Sequence, residues 1–418
     1  MKFSYLGRSI SALLASLALG LGMTACGGYT VGYMYILSGP GATGTQSNVI
    51  TGYKIDNLTG NLTSIIKSPF PSGGTNPVNA VVLTGGRFLY VLNAGGNGTA
   101  GNVSQYSIGG DGVLTFEQSY TSQGSNPVWI SADSSGRFLF VLDQISPDKS
   151  GNGDITVFSV DGVTGRLGLV VNQQVKNAAG TQLTYFPVGQ QPIVTKVISS
   201  YLYIIDQTPS KNPVTGAAQS PVQNVFVYQI NGTNGQLLLT QNAPQQFPLG
   251  DNLTAINSTN GGSYVYIADA GNNQIIPFTV GPSGVLQQLV GGPVRNAATA
   301  ANPAWIMVDS QGKFVYVLNQ GNPNINLPNS SITAYTIDST NGILTQLGDS
   351  PFPTGSGPVC MVEDPTNQYV YTSNHNDSTV TGFILNVITG QLAPLNRRTV
   401  FPTSGNPTCL VTSQYTSA

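Results

Sequence analysis

Gly86-Arg-Phe-Leu-Tyr-Val-Leu-Asn93 reads as a buried strand entered from a glycine turn and stopped by an amide, and the chain writes it again. It recurs as Gly136-Arg-Phe-Leu-Phe-Val-Leu-Asp143 and as Gly312-Lys-Phe-Val-Tyr-Val-Leu-Asn319. The underlying pattern, an aromatic residue followed by aliphatics and then Asn or Asp, opens at Tyr35, Tyr90, Phe140, Tyr203, Tyr266, Tyr316 and Tyr371. A second marker keeps step with it, a glycine two residues before a leucine: Gly60/Leu62, Gly112/Leu114, Gly165/Leu167, Gly235/Leu237, Gly284/Leu286, Gly342/Leu344 and Gly390/Leu392. Self-similarity at this period, with only strand signals inside each unit, predicts an all-β, seven-bladed propeller of four-stranded antiparallel blades.

The third unit gives the strand plan. Pro127-Val-Trp-Ile-Ser-Ala132 is strand A, Asp133-Ser-Ser-Gly136 a tight turn and Phe138-Leu-Phe-Val-Leu142 strand B. Ile155-Thr-Val-Phe-Ser-Val160 is strand C, Asp161-Gly-Val-Thr-Gly165 a second turn, and Leu167 opens strand D. Glycines supply the positive φ of such turns, and aspartates bond their own backbone. Asp133, Asp161, Asp309 and Asp338 therefore read as turn formers. The A–B and C–D connections are short, whereas Gln144–Gly153, Gln207–Gln223 and Val171–Gln190 are long. Strands alternate in direction, so the long loops share one face, where binding is expected.

The repeat begins with strands B, C and D of blade one, at Tyr33, Val49 and Leu62. It ends with a lone strand A, Pro407-Thr-Cys-Leu-Val411. The C-terminal strand is expected to complete blade one and close the ring, with residues 33–418 forming one domain.

The N-terminus reads differently. Lys2 and Arg8 precede a short apolar run from Ile10 to Leu21, and Met23-Thr-Ala-Cys26 is a small-residue cleavage site ending in cysteine. Residues 1–25 are expected to be a signal peptide and 26–32 a tether, since the apolar run is too short to span a bilayer. The cleavage site resembles a bacterial lipobox, which implies lipidation of Cys26 and a lipid-anchored protein in the cell envelope, held by lipid alone.

Charged residues make up 8% of the chain, against about 25% in ordinary soluble domains. Two of its 15 basic residues lie in the leader, and Arg397-Arg398 is the sole basic pair among the rest. Nucleic acid is thereby excluded as a partner. A monomer that binds a small polar ligand or a glycan is expected.

The repeated strand B and the Thr-Gly-x-Leu turns resemble the lactonase-type seven-bladed propellers, the group of 6-phosphogluconolactonases and YVTN-repeat propellers. The resemblance covers all seven units. It implies a lactone hydrolase with Gly-Pro-Arg-His opening a strand A and Glu following strand B. The matching strand starts here read Asn76-Pro-Val-Asn79, Asn126-Pro-Val-Trp129, Gln191-Pro-Ile-Val194, Asn302-Pro-Ala-Trp305, Gly357-Pro-Val-Cys360 and Asn406-Pro-Thr-Cys409, with no Arg-His pair. The residues after strand B include Ala94, Gln144, Gln207 and His375, with no Glu.

Several residues remain candidates for chemistry. His375, the only histidine, follows strand B of blade seven on the loop face, where it reads either as a base or as an exposed loop residue. Asp143, Asp206 and Asp269 end strand B in three consecutive blades. They read as candidate catalytic acids or calcium ligands, or as strand ends bonded to their loops. No other cofactor is expected. Trp129 and Trp305 sit where the family has histidine, and with Asn79 and Asn319 they form the candidate ligand-binding set, the indoles serving either as stacking platform or as core. Cys360 and Cys409 hold the same place in adjacent blades and are a candidate disulfide. The function expected is binding, with or without hydrolysis, of a sugar or lactone at the long-loop face. The alternative is a non-catalytic envelope protein that holds another protein or a surface polysaccharide.

Overall fold

Strand B of blade three, Phe138–Ile145, pairs on one side with strand A, Ser125–Ala132, and on the other with strand C, Asp154–Val160, all antiparallel. Strand C then pairs with a strand D split in two, Leu167–Leu169 and Phe186–Pro187. This sheet is repeated around a central channel to give seven blades, in the computed structural model that describes residues 29–39, 47–96, 100–208, 222–240, 245–246, 250–321 and 330–414. Among the described residues, blade two alone has strand D as one run, Leu114–Tyr120. Residues 1–28, the stretch read as a signal peptide with Cys26, and much of the longest B–C loop lie outside the described residues.

Strand B carries the core. Leu89 to Leu92 and Leu139 to Leu142 have no exposed surface, because a strand between two others and between two blades is covered on every side. Closure follows the expected order: Pro407–Gln414 pairs antiparallel with Thr30–Ser38 as the innermost strand of blade one. That strand B begins at Thr30, inside the stretch read as tether, because Thr30 already pairs with Asp56 across a bulge.

One further device is common to all seven blades. At the start of every strand A the register slips by one residue, at Val78, Val128, Ile193, Thr254, Ala304, Val359 and Thr408. In most blades the residue before the preceding proline has a positive φ, as at Asn76 (57°), Asn126 (56°) and Asn302 (57°). Such a bulge bends the strand and re-aims the next side chain. The re-aimed residues are Asn79, Trp129, Val194, Ala255, Trp305, Cys360 and Cys409, which form a ring at the loop-face end of the channel.

Candidate functional site in the central channel

Trp129 and Trp305 belong to blades three and six, on opposite sides of the ring, yet their ring centroids are 5.6 Å apart with planes inclined by 36°. The two indoles meet across the channel and narrow it at this level. Between them and the A–B turns at Thr84 and Asp133 lies a cavity of about 370 Å³, within the range of small-molecule sites. It lies toward the short-turn face, whereas sequence reasoning had pointed to the long-loop face. The reason is steric, since two large indoles on the same level fill the axis. An adjoining hollow at the A–B turns of blades four to six shares Lys196 and Asn257 with it.

One step below the tryptophan ring, the seven strands present Val81, Ser131, Lys196, Asn257, Met307, Val362 and Val411. The cavity wall is therefore divided: valines from blades two, seven and one face a polar side from blades three to five. Most of the polar groups are committed. Ser131 Oγ and Thr195 Oγ1 bond each other at 2.8 Å. Asn257 Nδ2 donates to the Ile306 carbonyl at 3.0 Å. Asp133 Oδ1 accepts from the backbone N–H of Arg137 and Phe138, so it shapes its turn, and Asp309 does the same in blade six.

Two groups are not committed. The Lys196 ammonium makes no hydrogen bond or ion pair among the described residues, and burial pushes its pKa below the usual lysine value. Asn79, 4% exposed, likewise has no partner for its side-chain amide. At the cavity wall that amide is open to a hydrogen bond with a ligand. Sequence reasoning missed Lys196. Its signal was a lysine inside Pro192-Ile-Val-Thr-Lys-Val197, at a register where the other blades have small, apolar or amide side chains.

The other candidates lie elsewhere. Asn319 is fully buried inside blade six, its Oδ1 accepting from Asn296 and its Nδ2 donating to Thr333, so it does not reach the cavity. His375 is half-buried on the loop face, its Nδ1 2.9 Å from the Pro407 carbonyl where the closing strand begins. It does not line the cavity. Asp269 accepts from Asp251 N, Asn252 N, Asn272 Nδ2 and Gln274 Nε2, and these bonds hold its carboxyl below the usual range despite the opposing effect of burial. Burial pushes Asp206 up to about 7 and also raises Asp143. Among the described residues no three His, Cys, Asp or Glu side chains converge in a way that could hold a metal ion, so these three aspartates form no shared calcium cage. Each sits within its own blade instead. Cys360 and Cys409 form a disulfide, with Cα atoms 5.1 Å apart, and it joins the inner strands of blades seven and one. The bulge at each strand start turns the two sulfurs toward one another.

The family model for "Lactonase, 7-bladed beta-propeller" matches residues 43–182 and 285–412. The chain belongs to this lactonase family. Curated 6-phosphogluconolactonases of Yersinia pestis and Yersinia pseudotuberculosis are 31% identical over 139 residues, which is 32% of this chain and 38% of theirs. The matched stretch thus spans well under half the length of these relatives. Among solved structures, a periplasmic gluconolactonase of Pseudomonas aeruginosa aligns with a TM-score of 0.68 at 18% identity, over 93% of this chain and 100% of that one. A protein from Lactobacillus plantarum aligns with the same score at 18% identity, covering 92% and 100%. At these identities the structures share the fold of this lactonase-family propeller.

Proposed function

We propose that this lactonase-family propeller binds a sugar lactone, or the aldonate it opens to, in the central channel between the tryptophan pair and the A–B turns. The observation that carries the reading is the placement of two uncommitted groups, Lys196 and Asn79, in a cavity floored by Trp129 and Trp305. An indole face suits the apolar face of a sugar ring. A lysine without a counter-ion suits the carbonyl oxygen of a lactone or the carboxylate of its product, and the Asn79 amide suits a hydroxyl. The cavity lining contains no imidazole and no carboxylate free of turn duty, so the Lys196 amine, its pKa lowered by burial, would be the one base there, and one group cannot both activate water and hold the developing oxyanion. The reading therefore puts binding ahead of turnover. By the same reading the protein is exported and anchored through Cys26, and incorporation of labelled palmitate that is lost in Cys26→Ala checks that part.

Calorimetric titration with gluconate, galactonate and 6-phosphogluconate, together with lactone hydrolysis followed above the spontaneous rate, tests the channel. Lys196→Met should weaken aldonate binding by at least tenfold, and Asn79→Ala by less. Failure of every aldonate to bind at millimolar concentration, or binding indifferent to Lys196→Met, would remove this reading. The first outcome would favour the competing one, a non-catalytic envelope protein gripping a protein or polysaccharide through its long loops.

A further inference from the structure

Blade three departs from the other six at one pair of positions. In every blade the residue that ends strand B faces a residue of strand C across the ladder: Asn93 faces Asn102, Asp206 faces Asn224, Asp269 faces Gln274, and Asn374 faces Thr379. Blades six and one pair Asn319 with Ser331 and Ser38 with Val49. Where strand B ends in aspartate, blades four and five answer with an amide, and Gln274 Nε2 donates to Asp269 Oδ2 at 2.8 Å. Blade three instead sets Asp143 against Asp154, acid against acid.

Both side chains are fully buried. Asp143 accepts from Ser122 Oγ at 2.7 Å and more loosely from Thr156 Oγ1 at 3.5 Å. The Thr156 hydroxyl lies close to both acids but has one proton to give, and neither oxygen of Asp154 has a hydrogen-bond partner. Gly124 of the D–A loop closes over the pair, and a Cβ there would overlap the Asp154 carboxylate. Two adjoining carboxylates sealed from water, one of them wholly unsatisfied, need a positive charge or a shared proton.

We infer that blade three holds a calcium ion between Asp143 and Asp154. The polar partners that meet the pair are the hydroxyls of Ser122 and Thr156 and the backbone amide of Gly124, with no imidazole or thiolate, which suits a hard cation and not zinc or copper. With two carboxylates and neutral oxygens from Ser122 and Thr156, affinity falls at the weak end of calcium sites, roughly 10⁻⁴ to 10⁻³ M.

The purified protein, stripped with EDTA and dialysed, would be titrated calorimetrically with CaCl2 and with MgCl2 at pH 7.5, and its melting followed in parallel. One calcium per chain and a rise of several degrees in Tm are expected, with magnesium far less effective. Asp154→Asn should abolish both responses while melting, in the absence of calcium, no lower than the stripped wild type. Asparagine there recreates the pairing of blade four, where Asn224 faces Asp206. Asp143→Asn should also abolish calcium binding and serves if the first variant does not fold. A wild type with no calcium heat and an unmoved Tm would mean that the pair shares a proton, and the inference fails. It fails equally if calcium binding survives both substitutions.

Discussion

The hydroxyl of Tyr371 donates to the carbonyl of Gly60 at 2.6 Å, joining blade seven to blade one across 311 residues of sequence. The same bond links five other junctions: Tyr35 to Gly112, Tyr90 to Gly165, Tyr203 to Gly284, Tyr266 to Gly342 and Tyr316 to Gly390, at 2.5 to 2.9 Å. At the seventh, Phe140 has no hydroxyl to offer Gly235. The aromatic and glycine markers of the repeat are thus the two ends of one inter-blade hydrogen bond. Each glycine is required twice over, because its φ is positive and because a Cβ would overlap an aromatic ring of the neighbouring blade, Tyr369 in the case of Gly60.

Tyr371→Phe should therefore cost only about 1 kcal/mol, the usual net worth of one buried hydrogen bond, with the natural Phe140 junction showing that the ring tolerates the loss. Gly60→Ala, which combines a strained φ with overlap at Tyr369, should cost more, about 2–4 kcal/mol. Chemical denaturation of both variants checks the order. Equal losses would mean that the glycine matters only through the carbonyl that accepts the junction bond.

Deleting residues 405–418 removes the strand paired with Thr30–Ser38 and leaves the inner edge of blade one unpaired. Such an edge is a template for association. The truncated protein should aggregate or melt far below the full chain, as light scattering and calorimetry would detect. An unchanged Tm would contradict the closure.

Architecture was legible in the sequence because each blade repeats the same turn and strand chemistry, so seven weak signals reinforce one another. The Tyr–Gly bond was legible only as two separate markers, since sequence spacing does not say which blade a hydroxyl reaches. The channel was harder to read. That Trp129 and Trp305 touch depends on their standing three blades apart on the same level, a property of the closed ring. Lys196 and Asp154 were hidden for the opposite reason: each is an exception at a position where the repeat says nothing unusual, visible only once the blades are laid over one another.

Glu363, at the turn-face end of strand A in blade seven, accepts from Ser310 N at 2.8 Å and Ser310 Oγ at 3.3 Å. Burial pushes its pKa from 4.5 up to about 7, and nearby Asp309 and Asp364 add to the rise. The folded protein holds this proton between pH 4.5 and 7 while the unfolded chain has released it. Stability from this group is therefore greatest below pH 4.5, falls as pH rises toward 7, and is level above that. Asp206, raised to about 7 by burial, acts in the same direction. Melting profiles from pH 4.5 to 8 should fall less steeply in Glu363→Gln than in the wild type. Parallel profiles would show that Glu363 does not titrate in this window.

The Cys360–Cys409 bond closes a segment of 49 residues between strands that are already neighbours. Chain-entropy arguments give a bridge of this span about 4 kcal/mol at most, and the existing ring closure lowers the realised share to about 2–3 kcal/mol. Dithiothreitol should lower the Tm of the wild type and leave the Cys360→Ala/Cys409→Ala double variant unmoved. A reductant effect that persists in the double variant would place its origin elsewhere.

From the sequence His375 reads either as a base or as an exposed loop residue, and its geometry gives it another task. Its Nδ1 meets the Pro407 carbonyl at 2.9 Å, and its backbone N–H donates to Gly357 O at 3.0 Å, so the residue ties the end of strand B to the entries of two inner strands. A ring that donates from Nδ1 is held in place at the loop face, away from the walls that carry Lys196 and Asn79. His375→Ala should then cost about 1 kcal/mol of stability through the lost bond at the closing strand. Aldonate affinity and any lactone turnover should match the wild type, while Lys196→Met should do the reverse, sparing stability and removing affinity. Calorimetric melting and ligand titration on the same two variants separate the roles. A robust hydrolysis rate abolished by His375→Ala would return the histidine to catalysis and move the site to the long-loop face.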